Sequence, residues 1–130
     1  MILDVCITAL PESLNSLYGI SRGRVFKRPR AVEWAEKASL LIGVADPNPE
    51  CYWKGKEIWI FIEVWLDDKR RRDLDNFFKL TQDTVATKLG FDDKQIVTIH
   101  AEKYQGGERR IRIRLGCYGE DVTPWDWRSF

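Results

Sequence analysis

The chain has 130 residues, 44% of them hydrophobic, which suits one domain with a substantial core and excludes two ordinary ones. Its 21 Lys and Arg against 20 Asp and Glu leave a formal net charge of +1, so the overall balance does not announce a polyanionic partner. Cys6, Cys51 and Cys117 are odd in number and far apart, against a disulfide framework or a zinc site, and no run approaches the roughly 20 apolar residues that span a bilayer; a cytosolic protein is expected.

Residues 2–10 read as a strand stopped by Pro11, and the polar stretch with Asn15, Gly19, Ser21 and Gly23 reads as a loop. Ala31, Val32, Trp34, Ala35, Ala38, Leu41 and Ile42 recur at spacings of three and four, which predicts an amphipathic helix ending near Gly43. Asp46-Pro47-Asn48-Pro49 forbids regular structure, so a connecting loop is expected through Gly55.

Over 57–66, Ile58, Ile60, Ile62, Val64 and Leu66 alternate with Trp59, Phe61, Glu63 and Trp65, the pattern of a strand covered on both faces. Glu63 is the exception among the aromatics. A carboxylate there must be paired to Arg or Lys, reach a solvated edge, or lie near a metal. Asp73 is placed to N-cap the next helix, whose inward stripe is Leu74, Phe77, Phe78, Thr81, Val85 and Leu89 and which Gly90 ends.

After Asp92-Asp93, a strand is predicted over 95–104, a hairpin turn at Gly106-Gly107, and a returning strand over 110–115. That last strand turns Ile111, Ile113 and Leu115 inward and Arg110, Arg112 and Arg114 outward. The tail, with Pro124, Trp125, Trp127 and Phe130, shows no periodicity and offers aromatics to the body of the domain or to a second subunit. No internal repeat or low-complexity segment is present. Six Trp, six Phe and four Tyr suit a core, a subunit interface or base stacking, and composition does not choose among them.

The chemistry concentrates in Lys69-Arg70-Arg71-Arg72-Asp73-Leu74-Asp75-Asn76, where phosphate-binding cations stand beside carboxylates. At a helix start, the dipole and free backbone N–H groups favour ionised Asp73 and Asp75. Joined by Asp93, they could give oxygen ligands to Mg²⁺ and leave positions for water and a phosphate oxygen. Asp75, Lys79 and Asp83 follow at i, i+4. They are either an exposed ion-pair ladder or a site in which Lys79 meets charge developing on a scissile phosphate.

The cations Arg22, Arg24, Lys27 and Arg28, the run from Lys69, and Arg110, Arg112 and Arg114 either hold a polyanion around an acidic centre or decorate solvated turns and an outer strand face. His100, the one histidine, reads as structural. No Gly-rich phosphate loop, nucleophile elbow or Cys/His pair competes with the acids.

Taken together, Arg70-Arg71-Arg72-Asp73-Leu74-Asp75-Asn76, Lys79, Asp83, Gly90-Phe91, Asp92-Asp93, Gln95 and the Val/Ile strand that follows resemble the RusA family of Holliday junction resolvases. The likeness extends upstream to Pro11, Ser13, Asn15 and Tyr18 and downstream to Lys103 and the Gly-Gly turn, and so covers most of the chain to about Leu115. It implies an α+β fold with a small mixed or antiparallel sheet, two main helices and a homodimeric assembly, in one domain over 1–130 whose stretch 116–130 diverges from the family. It also implies a Mg²⁺-dependent endonuclease, with Mn²⁺ as a substitute, that makes paired cuts across four-way DNA junctions in a bacterial or phage-infected cell.

Carried over residue by residue, the resemblance makes Asp73, Asp75 and Asp93 the metal-binding acids and Lys79 the essential lysine. Asp83 matches a family acid less firmly tied to catalysis, and Asp92 neighbours a catalytic acid. The connection from Gly90 to Asp92 is shorter than in the best-known members. Two other readings stand beside this one: a non-catalytic binder of branched DNA, and a metal-dependent phosphohydrolase acting on nucleotides, which would leave the basic clusters without a role.

Overall fold

Alternating aliphatic and aromatic side chains make Ile58–Leu66 the central strand of a four-stranded sheet, with every residue but Trp65 buried. The computed structural model describes residues 2–10, 18–46, 52–66 and 77–125. In chain order these form β1 (Leu3–Ile7), β2 (Tyr18–Ser21), β3 (Arg24–Lys27), α1 (Pro29–Ala45), β4 (Ile58–Leu66), α2 (Phe78–Leu89), a 3₁₀ turn at Asp93–Gln95, β5 (Ile96–Gln105) and β6 (Arg110–Cys117). The architecture is α+β, with two helices and a mixed sheet.

The sheet runs β1-β6-β4-β5, with β4 parallel to β5 and antiparallel to β6, and β6 antiparallel to β1. This corrects the hairpin expected at Gly106-Gly107, because β4 lies between the two strands that turn connects. A strand apolar on both faces belongs in the middle of a sheet, so β5 and β6 flank it rather than pair with each other. Their connection passes the end of β4, where the Gly106 N–H donates to the Leu66 carbonyl at 3.0 Å. Parallel neighbours need a crossover, and α2 supplies it between β4 and β5.

A second correction falls at residues 18–27, expected in part as a loop. Arg22 and Gly23 have φ of 52° and 76°, the left-handed pair that a two-residue hairpin turn requires, and β2 and β3 pair across them. An Arg at the first turn position hid the signal that Asn or Asp would have given.

Helix α1 starts with Pro29 in its first turn and buries Ala31, Trp34, Ala38 and Ile42. Val32 and Leu41, expected inside, are 40% and 37% exposed, so the inward stripe is narrower than the spacing implied. The Trp34 indole N–H donates to the Ala9 carbonyl at 2.9 Å and ties α1 to the chain leaving β1. Trp53, wholly buried, donates its indole N–H to Asp46 Oδ2 at 3.1 Å, closing the two ends of the expected Asp-Pro-Asn-Pro loop.

The inward side of α2 carries Leu80, Thr81, Thr84, Val85, Ala86 and Leu89, with Phe77 buried just before it. The Thr81 hydroxyl donates back to the Phe77 carbonyl at 2.8 Å, and Gly90, at φ 74°, ends the helix as expected. The predicted N-cap, Asp73, and Leu74 lie outside the described residues. Inward side chains of both helices and of β1, β4 and β6 form one core cluster on one face of the sheet. Trp59 and Phe61 are equally buried on the other face, where Trp125 covers them with ring centroids 5.4 and 5.7 Å away.

Cys6 and Cys117 carry free thiols, while Cys51 lies outside the described residues. No helix among the described residues is long and apolar enough to cross a membrane. Gly116 pairs with Trp59 across β6 and β4, and a Cβ there would overlap the indole ring and come within 2.9 Å of the Asp121 Cβ. Gly116→Ala is therefore expected to cost about 1–3 kcal/mol, read as a lower urea midpoint with an unchanged slope.

Candidate active site

The acids of the candidate site, with the lysine and the basic run beside them, fall into three groups. Lys69, Arg70, Arg71, Arg72, Asp73 and Asp75 lie outside the described residues, in the stretch 67–76 that connects two buried positions, Leu66 at the end of β4 and Phe77 ahead of α2. Lys79 and Asp83 stand on α2. Asp92 and Asp93 follow it.

In the first turn of α2, Lys79 Nζ lies 3.2 Å from Asp83 Oδ2, the expected i, i+4 pair. Its side chains are 47% and 28% exposed, so the pair stabilises the helix by only a few tenths of a kcal/mol. The arrangement holds an ammonium group at the helix end nearest the acidic run. Asp83 also lines a cleft between the helices with Lys27, Ser39 and Thr84.

Asp92 and Asp93 are adjacent carboxylates in different surroundings. Asp92 caps the 3₁₀ turn: its Oδ1 accepts from the Lys94 N–H at 2.9 Å, while Gln95 Oε1 accepts from the Asp92 N–H at 3.1 Å. Gln95 then donates its amide to the Trp53 and Lys56 carbonyls at 2.8 and 3.0 Å, anchoring the turn beside the start of β4. Asp93 is exposed next to this cap. From Lys79 to Leu89 the helix rises about 15 Å, so Lys79 and Asp93 lie at opposite ends of α2 within one chain.

Glu63 is 8% exposed and paired, one of the alternatives its position required. Arg114 Nη2 lies 2.5 Å from Glu63 Oε1, Arg112 Nη1 lies 3.9 Å from the same oxygen, and the Tyr104 hydroxyl lies 3.3 Å from Oε2. Arg112 also grips Asp4 with two hydrogen bonds of 3.0 and 2.7 Å, which hold the Asp4 carboxyl below its ordinary range. Tyr104 hydrogen-bonds Glu102, and that bond pushes its hydroxyl pKa up to about 12.

Sequence reasoning missed Tyr104 and Glu102 as neighbours of Glu63. Glu102 lies directly opposite Glu63, and Tyr104, opposite Trp65, reaches it diagonally, only because β5 runs parallel to β4 in this register, a pairing that alternation alone does not reveal.

The three arginines of β6 are thus engaged within the sheet: Arg114 with Glu63, Arg112 with Asp4, and Arg110 with its guanidinium carbon 4.2 Å from the Trp65 ring centroid. Arg22, Arg24, Lys27 and Arg28 are exposed on the β2–β3 hairpin and just after it. His100 lies between Phe61 and Trp125, with ring centroids 4.9 and 5.0 Å away, in the structural place expected of it.

Among the described residues one group offers three metal-capable side chains, Cys117, Glu120 and Asp121. It is a structural knot: Glu120 accepts from Tyr52 at 2.9 Å and pairs with Lys56 at 3.0 Å, and Asp121 Oδ2 accepts from the Cys117 N–H at 3.0 Å.

Comparison with known proteins matches residues 12–116 to the family model described as Endodeoxyribonuclease RusA. The crossover junction endodeoxyribonuclease RusA of Escherichia coli (strain K12) is 34% identical over 115 residues, covering 79% of this chain and 87% of that protein. The protein of the same name from Shigella sonnei (strain Ss046) and the crossover junction endodeoxyribonuclease rusA of Enterobacteria phage 82 show the same identity and coverage.

The split between Asp92 and Asp93 is open to measurement. Asp92→Ala should lower the thermal midpoint through loss of the cap, whereas Asp93→Ala should leave it unchanged. The Lys94 N–H, followed by the Asp93 side chain, holds the Asp92 carboxyl below its ordinary range. A depressed folded-state pKa stabilises above the unfolded value, near pH 4. The midpoint gap between wild type and Asp92→Ala should therefore persist at neutral pH and close as pH falls through the folded value.

Proposed function

The chain belongs to the RusA family of endodeoxyribonucleases, and on that premise we propose that it resolves four-way DNA junctions by paired, symmetric phosphodiester hydrolysis as a homodimer. The observation that carries this reading is the match over 12–116, which contains the whole set Asp73, Asp75, Lys79 and Asp93.

Asp73, Asp75 and Asp93 are the proposed ion-holding acids. A set made only of carboxylate oxygens, without thiolate or imidazole, suits a hard divalent cation such as Mg²⁺ or Mn²⁺, and Asp93 is exposed while its neighbour Asp92 serves the cap. When bound, such an ion supplies polarisation of the scissile phosphate and a more acidic water.

The remaining roles belong to the chain's own side chains. Lys79 presents its ammonium to the charge that develops on the phosphate, and Asp83 holds it along the helix. Lys69, Arg70, Arg71 and Arg72 guide the phosphate backbone, joined by the exposed Arg22, Arg24, Lys27 and Arg28. Since Lys79 and Asp93 stand at opposite ends of α2, Asp93 of one copy is proposed to complete the site of the other.

The deciding assay uses a synthetic mobile four-way junction. Asp73→Asn or Asp75→Asn should abolish cleavage while junction binding persists, and full cleavage by either variant would sink the assignment. Binding without scission by the wild type in Mg²⁺ would instead mark a non-catalytic junction binder. Lys79→Ala should slow cleavage at least a hundredfold and leave the thermal midpoint within a degree or so, roughly as removal of one exposed ion pair allows. Mixing Asp75→Asn with Asp93→Asn should restore single nicks in mixed dimers, because one of the two shared sites is then intact. No recovery would place Asp93 in the site of its own chain.

A further inference from the structure

One row of side chains on the outer sheet face has no part in the functions described so far. Tyr104, Trp65 and Arg110 are direct cross-strand neighbours on β5, β4 and β6. The Tyr104 and Trp65 rings stack with centroids 5.0 Å apart and planes 25° from parallel, and the Arg110 guanidinium lies 4.2 Å over the Trp65 ring. Three flat groups therefore stand side by side like leaves. All three are half-buried.

No strand among the described residues flanks either end of this stack. Tyr104 is on β5, the edge strand, so no strand lies beyond it. Arg110 precedes Ile111, the last β6 residue that pairs with β1, so among the described residues no strand lies beside it on that side either. The next aromatic group along the face is built differently: Trp125 closes over His100 and Phe61. Trp65 is the one residue of β4 left partly exposed, and Tyr104 is held in place by its hydroxyl contacts with Glu102 and Glu63.

The position of the stack narrows the choice of ligand. Trp65 is one residue before Leu66, whose carbonyl is tied to Gly106, and the chain then enters 67–76 with its cations and acids. Lys103, opposite the core residue Val64, and Arg109, which lines a cleft with Glu33 and Trp34 of α1, belong to the helix-bearing face, so on the outer face Arg110 itself supplies the positive charge at this end of the sheet. Flat π-faces that include a guanidinium accept a planar base on a phosphate-bearing chain, and such stacking tolerates any base because every base has a π-face. We propose that Tyr104, Trp65 and Arg110 form a stacking platform for an unpaired nucleobase at the branch point, beside the phosphate to be cut. This rests on the junction-cleaving reading and adds to it the residues that recognise the branch.

The test compares binding of the full-length protein, without divalent ion, to two four-way junctions, one intact and one carrying abasic sites at the crossing point. The wild type should bind the intact junction about tenfold more tightly, in keeping with the usual worth of one base-aromatic stack. Trp65→Leu and Arg110→Gln should lose that preference and bind the abasic junction as the wild type does. Equal wild-type affinity for both junctions would overturn the proposal, as would variants weakened equally on both. If Trp65→Leu does not fold, as judged by circular dichroism, Arg110→Gln decides alone, since it leaves β4 intact. Absence of nicking by the wild type in Mg²⁺ would remove the nuclease reading but leave the base preference to be measured on its own.

Discussion

The double burial of β4 is the constraint from which the rest of the molecule follows. A strand apolar on both faces cannot sit at an edge, so β6 takes one side and β5 the other. The β5 side is parallel, which obliges the chain to travel back along the sheet before β5 begins. Helix α2 makes that return journey. The acidic run thus follows directly from the carboxyl end of β4 and leads into the start of α2.

Much of this was legible in the sequence, and the parts that were not share a cause. Helix α1, β4, β5 and β6 were marked by their own periodicity, and Gly90 ended α2 where its lack of a side chain permits a left-handed residue. Local pattern says nothing about partners, however. Gly106-Gly107 has the composition of a hairpin turn and serves a connection past the end of another strand, because pairing was decided by the burial of β4 far upstream. Val32 and Leu41 satisfied the helical spacing of α1 and still lie at its margin, since spacing fixes a direction but not the width of what covers it. For the candidate site, Lys79, Asp83 and the acidic pair before β5 were found by spacing and motif. The division between Asp92 and Asp93 came from a hydrogen-bond pattern that sequence does not display.

The charge pattern gained meaning once partners were known. A net charge of +1 conceals arginines in two situations. Arg112 and Arg114 neutralise Asp4 and Glu63 across the sheet, so their charge is spent on satisfying a carboxylate that would otherwise be buried alone. The cations of the β2–β3 hairpin remain exposed. Alternation along β6 made all three of its arginines look equally outward, yet the ion pairs run diagonally to the register, which sets Arg112 opposite Glu63 and Arg114 opposite Asp4, so only the side-chain contacts reveal which charge is answered by which acid.

The pairing of β1 with β6 also carries a kinetic consequence. Leu3 lies opposite Leu115 and Ile7 opposite Ile111, so β1 waits for β6. The sheet cannot be completed on a nascent chain until β6 has left the ribosome, and contacts of such long sequence separation slow folding in general. Until then Leu3, Val5 and Ile7, all destined for the core, have no permanent cover. The exposed charges of Asp4 and the small polar Cys6 between them keep that waiting segment from being uniformly apolar, and so lower its tendency to join a neighbouring chain by mistake.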